Sequence, residues 1–205
     1  MSPPARVHIT GVSGAGKSTL ARRIGSAFDL PVHHLDEIAI DPTTRERRPP
    51  EERQAMVARI AADPRWVTDG VQTGWTDPLC ERADLIVWLD HLDASRASVR
   101  IIGRFTRQAW QEFRRQRGRG KFLRVRSYGH QARALVRSLL EVHEFDRAPP
   151  EPEGVDAGSR TAIIAQLEPH RAKVRHCQTH GDVEDLLVQL GVDPATSAVP
   201  NVDDA

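Results

Sequence analysis

Short apolar runs and longer amphipathic ones alternate along most of this chain. Val7-His8-Ile9-Thr10 is a brief β-branched run, the pattern of a buried strand, and 19–28 follows with Leu20, Ile24, Ala27 and Phe28 on one side of a helix. Pro31 introduces a second strand at 32–35 that ends at Asp36, and Pro50 stands near the start of a helix at 51–62. Residues 65–70 and 84–90 read as two more strands, with a loop over 71–82 between them. The run Leu85 to Leu89 is the most continuous apolar stretch, as strands buried on both faces of a parallel sheet are. Helices are predicted from about 94, at 125–145, 161–168 and 182–190, with a last strand at 173–177. The alternation predicts an α/β fold of three layers around a mostly parallel five-stranded sheet. It spans 6–190, with 1–5 and 191–205 as disordered ends.

The break between the first strand and the first helix carries the strongest chemistry. Gly11-Val12-Ser13-Gly14-Ala15-Gly16-Lys17-Ser18 fills the template G-x-x-x-x-G-K-[ST] without a mismatch. Glycines let the backbone curl so that successive N–H groups face one polyphosphate, and Ser13 and Ala15 keep the other side chains small. Lys17 reaches the terminal phosphates, Ser18 offers a hydroxyl to Mg²⁺, and the helix that opens here, with Thr19 in its first turn, adds its positive N-terminal end. Strand, loop and helix stand in the required order. A nucleoside triphosphate, ATP, is the expected ligand, with Mg²⁺ beside it.

Composition narrows the class. A chain of 205 residues supports one α/β domain with a full core. The net charge of +1 implies no polyanionic partner by itself, though local charge still can. Cys80 and Cys177 are too few for a disulfide framework. No apolar run approaches membrane-spanning length, and the N-terminus lacks the pattern of a signal peptide. A soluble cytoplasmic protein is expected.

Several polar residues invite a role. Asp36 at a strand end sits where open α/β sheets place ligand-binding groups. His33 and His34 point to opposite faces of their strand and cannot easily share one ion, so structural or supporting roles are expected for them. Asp69 and Asp90 both end a strand and compete for the Mg²⁺-associated carboxylate. The polar segment 41–50 reads as a mobile surface stretch, where Arg45, Arg47 and Arg48, with Arg53 beyond, either grip an anion or are simply solvated. Trp75 either lines a site or packs. Along the helix from 94, Arg96, Arg100, Arg104, Arg107 and Arg114 share one face opposite Ile102, Phe105, Ala109 and Phe113, with Glu112 alone among them. Crowded guanidiniums call for an anion, and phosphate fits their planar fork. The glycine-broken stretch 115–126 continues the charge and reads as a hinge or lid tip, with interleaved aromatics that also suit single-stranded nucleic acid. His176, Cys177 and His180 are too crowded and too few for zinc.

The segments GVSGAGKSTLARRI, PVHHLDEI, RWVTDG and ADLIVWLDHLDASRASVRIIGR resemble the adenylate-kinase-like nucleotide kinases of the P-loop NTPase fold. More closely, with RTAIIAQL and VRHCQTHGDVEDLL, they resemble the bacterial DNA topology modulation, or FlaR-type, proteins, over roughly 6–190. The resemblance implies a Mg²⁺-supporting role for Asp69 rather than Asp90, and a short arginine-rich lid over about 104–127. It places Arg100 and Arg104 at the lid base, meeting adenine and phosphates, and 178–182 near the adenine. It sets Asp36 near the phosphoryl acceptor, to orient or deprotonate a hydroxyl. Adenylate kinases follow Asp-Gly with Phe-Pro-Arg, whereas Val71-Gln72-Thr73 stands here, which removes an arginine expected on a substrate phosphate.

The implied activity is an ATP- and Mg²⁺-dependent phosphotransferase acting on a small molecule, nucleoside or nucleotide, with Lys17, Asp36, Arg104 and Arg107 as catalytic residues. The alternative is a nucleotide-gated regulator that binds nucleic acid through 96–126. If Arg104 stabilises the transferring phosphoryl group, Arg104→Ala lowers turnover by on the order of 10³. ATP affinity, read in a parallel binding titration, changes far less, and equal losses in both would argue against that role.

Overall fold

Val7, His8, Ile9 and Thr10 are each no more than 1% exposed, and successive strand residues point to opposite faces. Both faces of the sheet at this strand are therefore covered. The computed structural model describes residues 3–41, 43–44, 46–91, 102–103, 106, 135–136 and 159–193. Their strands are β1 (Arg6–Gly11), β2 (Val32–His34), β3 (Trp66–Asp69), β4 (Leu85–Leu89) and β5 (Val174–Cys177). They form one five-stranded sheet in the order β2-β3-β1-β4-β5, every pairing parallel. Helices α1 (Lys17–Phe28), α2 (Leu35–Ala39), α3 (Pro50–Ala62), α4 (Asp77–Arg82), α5 (Arg160–Leu167) and α6 (His180–Leu190) complete the α/β arrangement, with a 3₁₀ turn at Glu168–Lys173. None of the described helices is long and apolar enough to cross a membrane.

The core follows the apolar pattern. Leu20, Ala21 and Ile24 of α1, Val57 and Ile60 of α3, and Leu186 and Leu187 of α6 pack with Val67, Ile86 and Val87 of the sheet. Trp66, Trp75 and Trp88 belong to the same buried cluster. Trp88 stacks on His176 with ring centroids 3.9 Å apart, and the Arg53 guanidinium lies over the Trp75 ring. Trp75 packs.

Sequence and structure part at the boundaries. The second strand stops at His34, and Leu35 and Asp36 open α2 instead of ending β2. Leu35 is fully buried, so its apolar character made it look like one more strand residue. The loop expected over 71–82 contains α4, a helix of 6 residues, too short to show a period. Ser159 caps α5 by accepting from the Ala162 N–H, and Thr179 with Asp182 forms a capping box that starts α6 at His180. Gly191 closes α6 in the left-handed region, and Val192 behind it is buried.

The segment after Ile40 is tied down rather than loose. Ile40 and Arg47 form an antiparallel bridge. The Arg48 guanidinium donates to the carbonyls of Glu37, Ile38 and Ile40 and pairs with Asp41 and Glu52. Arg53 is only 4% exposed. Neither anion grip nor simple solvation describes Arg48 and Arg53, which hold the helices together. Arg45 lies outside the described residues. So do the arginine-faced helix from 94, the proposed lid and the helix at 125–145, apart from residues 102, 103, 106, 135 and 136.

His8 on β1 is the one fully buried histidine among the described residues, bonded through Nδ1 to Thr68 Oγ1 at 2.8 Å across the β1–β3 pair. Burial pushes its imidazole down to about 4 from the ordinary 6.5, so the folded protein holds it neutral. The unfolded chain takes up a proton that the native state refuses. Stability from this group is therefore lost as pH falls from 6.5 towards 4, by about 3 kcal/mol in total, and levels off below that. Urea unfolding of wild type and His8→Gln at pH 7 and pH 4.5 checks this. The wild type is expected to lose more stability than the variant across that interval.

Candidate active site

β1 ends at Gly11, whose φ of 139° lies outside the range that L side chains favour. A Cβ there would meet the Leu89 carbonyl oxygen at 2.2 Å, so β1 and β4 approach closely only because residue 11 has no side chain. Gly14 and Gly16 carry φ of 84° and 94°, which curls the loop, and the Ala15 N–H closes it onto the Val12 carbonyl. Ala15 is buried in that curl and Ser13 is half-buried. Gly16 is the N-cap of α1 and supplies no side-chain acceptor to its first turn. Those N–H groups, with Thr19 exposed beside them, make the helix start an anion-binding end. The Lys17 ammonium donates to the carbonyls of Gly11 and Val12 at 2.9 and 3.0 Å, lying along the loop.

Asp69 joins the loop to the sheet. It ends β3 beside β1, in register with Ile9, and is 4% exposed. A buried carboxylate must be hydrogen-bonded. Ser18 Oγ donates to Asp69 Oδ2 at 2.6 Å, and the ring Nδ1 of His34 contacts Oδ1 from the end of β2, the residue paired with Asp69 in register. Next to it, a Cβ on Gly70 would strike Leu35 Cβ at 2.6 Å. That glycine lets the start of α2 sit against the end of β3. The placement brings Gln72 Nε2 to Asp36 Oδ1 at 2.8 Å, while Gln72 Oε1 accepts from the Val71 N–H. Asp36 itself is exposed.

The two competing aspartates separate cleanly. Asp90 follows β4 towards β5, where its Oδ2 accepts from Arg160 at 2.5 Å and meets His176 Nε2 at 2.9 Å. Asp69, not Asp90, is the carboxylate bonded to the loop serine. His33 is separate from the site: burial pushes its imidazole below the usual range, with the Asp63 charge opposing and that of His34 adding. Asp182 Oδ2 accepts the backbone N–H groups of Gln178 and Thr179, so this stretch is shaped by a helix cap. Cys80 and Cys177 are buried thiols, pushed up to about 12 and about 11 by desolvation, and hence inert.

The structure thus gathers Gly11, Ser13, Gly14, Ala15, Gly16, Lys17, Ser18, Thr19 and Asp69 around one loop. Asp36 lies on α2, joined through Leu35 to the residue that meets Asp69. Arg100, Arg104 and Arg107 lie outside the described residues. Sequence reasoning missed Gln72 as the partner of Asp36 and left His34 without a partner. A glutamine three residues past Asp69 carried no local signal; only the packing at Gly70 brings it back.

Comparison with known proteins adds little to this geometry. No protein-family model matches the chain. It is similar to the uncharacterized protein YqaC of Bacillus subtilis (strain 168), with 35% identity over 86 residues, 40% of this chain and 47% of that protein. The chain spans about half the length of the curated relative it matches. Among solved structures it is similar to a sugar kinase from Janibacter sp. HTCC2649 at 17% identity, covering 94% of this chain and 98% of that one, with a TM-score of 0.43. A gluconokinase from Sinorhizobium meliloti 1021 gives 18% identity, 91% and 97% coverage and 0.40. A shikimate kinase from Bacteroides thetaiotaomicron gives 14%, 92% and 99%, and 0.41. These scores lie below the level that establishes a shared fold, and the fold stands on the strand order above. None of these likenesses shows the topology modulation family that the motifs resemble.

The contact at Gly11 makes a stability prediction. Gly11→Ala combines a strained φ with a collision against main chain, and is expected to cost on the order of 3 kcal/mol. Chemical denaturation measures it; a loss below about 0.5 kcal/mol would show that β1 and β4 separate easily.

Proposed function

We propose that this chain is a Mg·ATP-dependent phosphotransferase that phosphorylates a hydroxyl of a small molecule. One observation carries the reading: the glycine loop, Lys17, the Ser18–Asp69 pair and Asp36 all lie at the carboxyl ends of β1, β2 and β3, the edge where parallel sheets bind ligands. The loop N–H groups and Lys17 hold the terminal phosphates. Ser18 and Asp69 present hard oxygen donors 2.6 Å apart, the ligand type Mg²⁺ takes, and these two would hold the ion. Held there, Mg²⁺ would supply positive charge that offsets the charge of the phosphates.

Asp36 supports the acceptor side. Its Oδ1 is fixed by Gln72, which steadies the carboxylate so that Oδ2 can accept a hydroxyl proton as the phosphoryl group arrives. Gln72 is neutral, and among the described residues Arg48 and Arg53 are engaged in packing helices. This favours an acceptor whose reacting end is a hydroxyl over one led by a phosphate. Arg104 and Arg107, on a lid at 104–127 of a domain spanning 6–190, complete the proposal by closing on the transferring group, with Arg100 at the lid base meeting the nucleotide. Thus Lys17, Asp36, Arg104 and Arg107 are the proposed catalytic residues, with ATP and Mg²⁺ as cofactors.

ATP turnover with Mg²⁺ against a panel of metabolite alcohols, sugars, nucleosides and nucleotides tests this. Stimulation by one compound, reduced at least about 100-fold in Lys17→Ala and Asp36→Asn, is expected. No stimulation by any compound, with hydrolysis raised by nucleic acid instead, would overturn it in favour of a nucleic-acid-binding regulator.

A further inference from the structure

We infer that His34 is a positioning residue for the metal-bearing nucleotide, acting through Asp69 on Ser18; the inference rests on the phosphotransferase reading above. A carboxylate only accepts, so the His34 ring donates from Nδ1 to Asp69 Oδ1, and Ser18 donates to Oδ2. Rotation of an aspartate carboxylate about its last bond is soft and nearly two-fold. A single donor would leave either oxygen able to face the loop. Two donors from two elements remove that choice. His34 reaches Asp69 from β2, Ser18 reaches it from α1, and strand register sets His34 and Asp69 side by side.

The consequence falls on the serine. With its proton committed to Asp69 Oδ2, the Ser18 hydroxyl turns its lone pairs away from the carboxylate, where a cation can use them. His34 fixes the direction of that proton without touching the nucleotide. It also lies two residues before Asp36, so one short stretch supplies both the support of the metal side and the carboxylate of the acceptor side. Without the imidazole, Oδ1 becomes a buried acceptor with no donor, and the carboxylate turns to share Ser18 or water.

Binding of a fluorescent ATP analogue to the full chain, titrated with Mg²⁺ and again with excess EDTA, separates the roles. Wild type is expected to bind more tightly with Mg²⁺. In His34→Ala that gain shrinks by about tenfold or more, while affinity in EDTA stays within about twofold. His34→Asn, whose carboxamide N–H can stand in for Nδ1, restores most of the gain. A thermal melt of each variant checks that the domain is folded. The inference is overturned if His34→Ala keeps the full Mg²⁺ gain, if it weakens binding equally with and without Mg²⁺, or if His34→Asn fails to rescue. Wild type that gains nothing from Mg²⁺ removes both this role and the phosphotransferase reading. Wild type that gains from Mg²⁺ but phosphorylates no acceptor removes the latter alone, and the variants still decide His34.

Discussion

A carboxylate at 4% exposure has to find hydrogen-bond donors or be expelled, and Asp69 finds them on two different elements. That requirement links the glycine loop, the sheet edge and the start of α2. Ser18 must open α1 at the height of the β3 terminus, which fixes the loop between β1 and α1. His34 must end β2 level with Asp69, which fixes the register of the sheet edge. Gly70 must then be bare so that Leu35 can turn into α2. Losing one partner leaves buried charge without a donor, a penalty usually above 1 kcal/mol, so the arrangement is cooperative.

The loop from Gly11 to Ser18 was fully legible because its chemistry is local: every fixed position lies within eight consecutive residues. The strands were legible because burial on both faces leaves continuous apolar runs such as Leu85 to Leu89. Partnerships were not legible, since they depend on which strands are neighbours. His34 and Asp69 stand 35 residues apart, and only the order β2-β3-β1 brings them together. Residue type misled as well. Arg48 and Arg53 looked like surface charge, yet one binds three carbonyls and the other stacks on an indole. An arginine satisfied by carbonyl oxygens and an aromatic face is as much a packing residue as a leucine.

The same geometry explains why two strand-end aspartates with similar surroundings in sequence take different partners. A carboxylate stands at the carboxyl end of each strand beside β1, Asp69 as the last residue of β3 and Asp90 just after β4, but β3 leads it towards the loop serine and β4 leads it towards β5. On the β5 side it meets Arg160 and His176, cations or donors that bind it to the sheet edge. Position in the sheet, rather than the local apolar run, decides which carboxylate is bonded to the loop serine.

The buried tryptophans give the domain built-in reporters. Trp66, Trp75 and Trp88 are all under 10% exposed, and their indole N–H groups have no hydrogen-bond partner among the described residues. Indoles held away from water emit at shorter wavelength than solvated ones. Their emission therefore samples β3, the approach to α4 and β4 together, and opening of any of these layers shifts the colour of the light. The chain has 4 tryptophans, and the remaining one, Trp110, lies in the arginine-rich region. Replacing it alone would leave a spectrum that reads the sheet and its packing, and restoring it would add a signal from the region beyond.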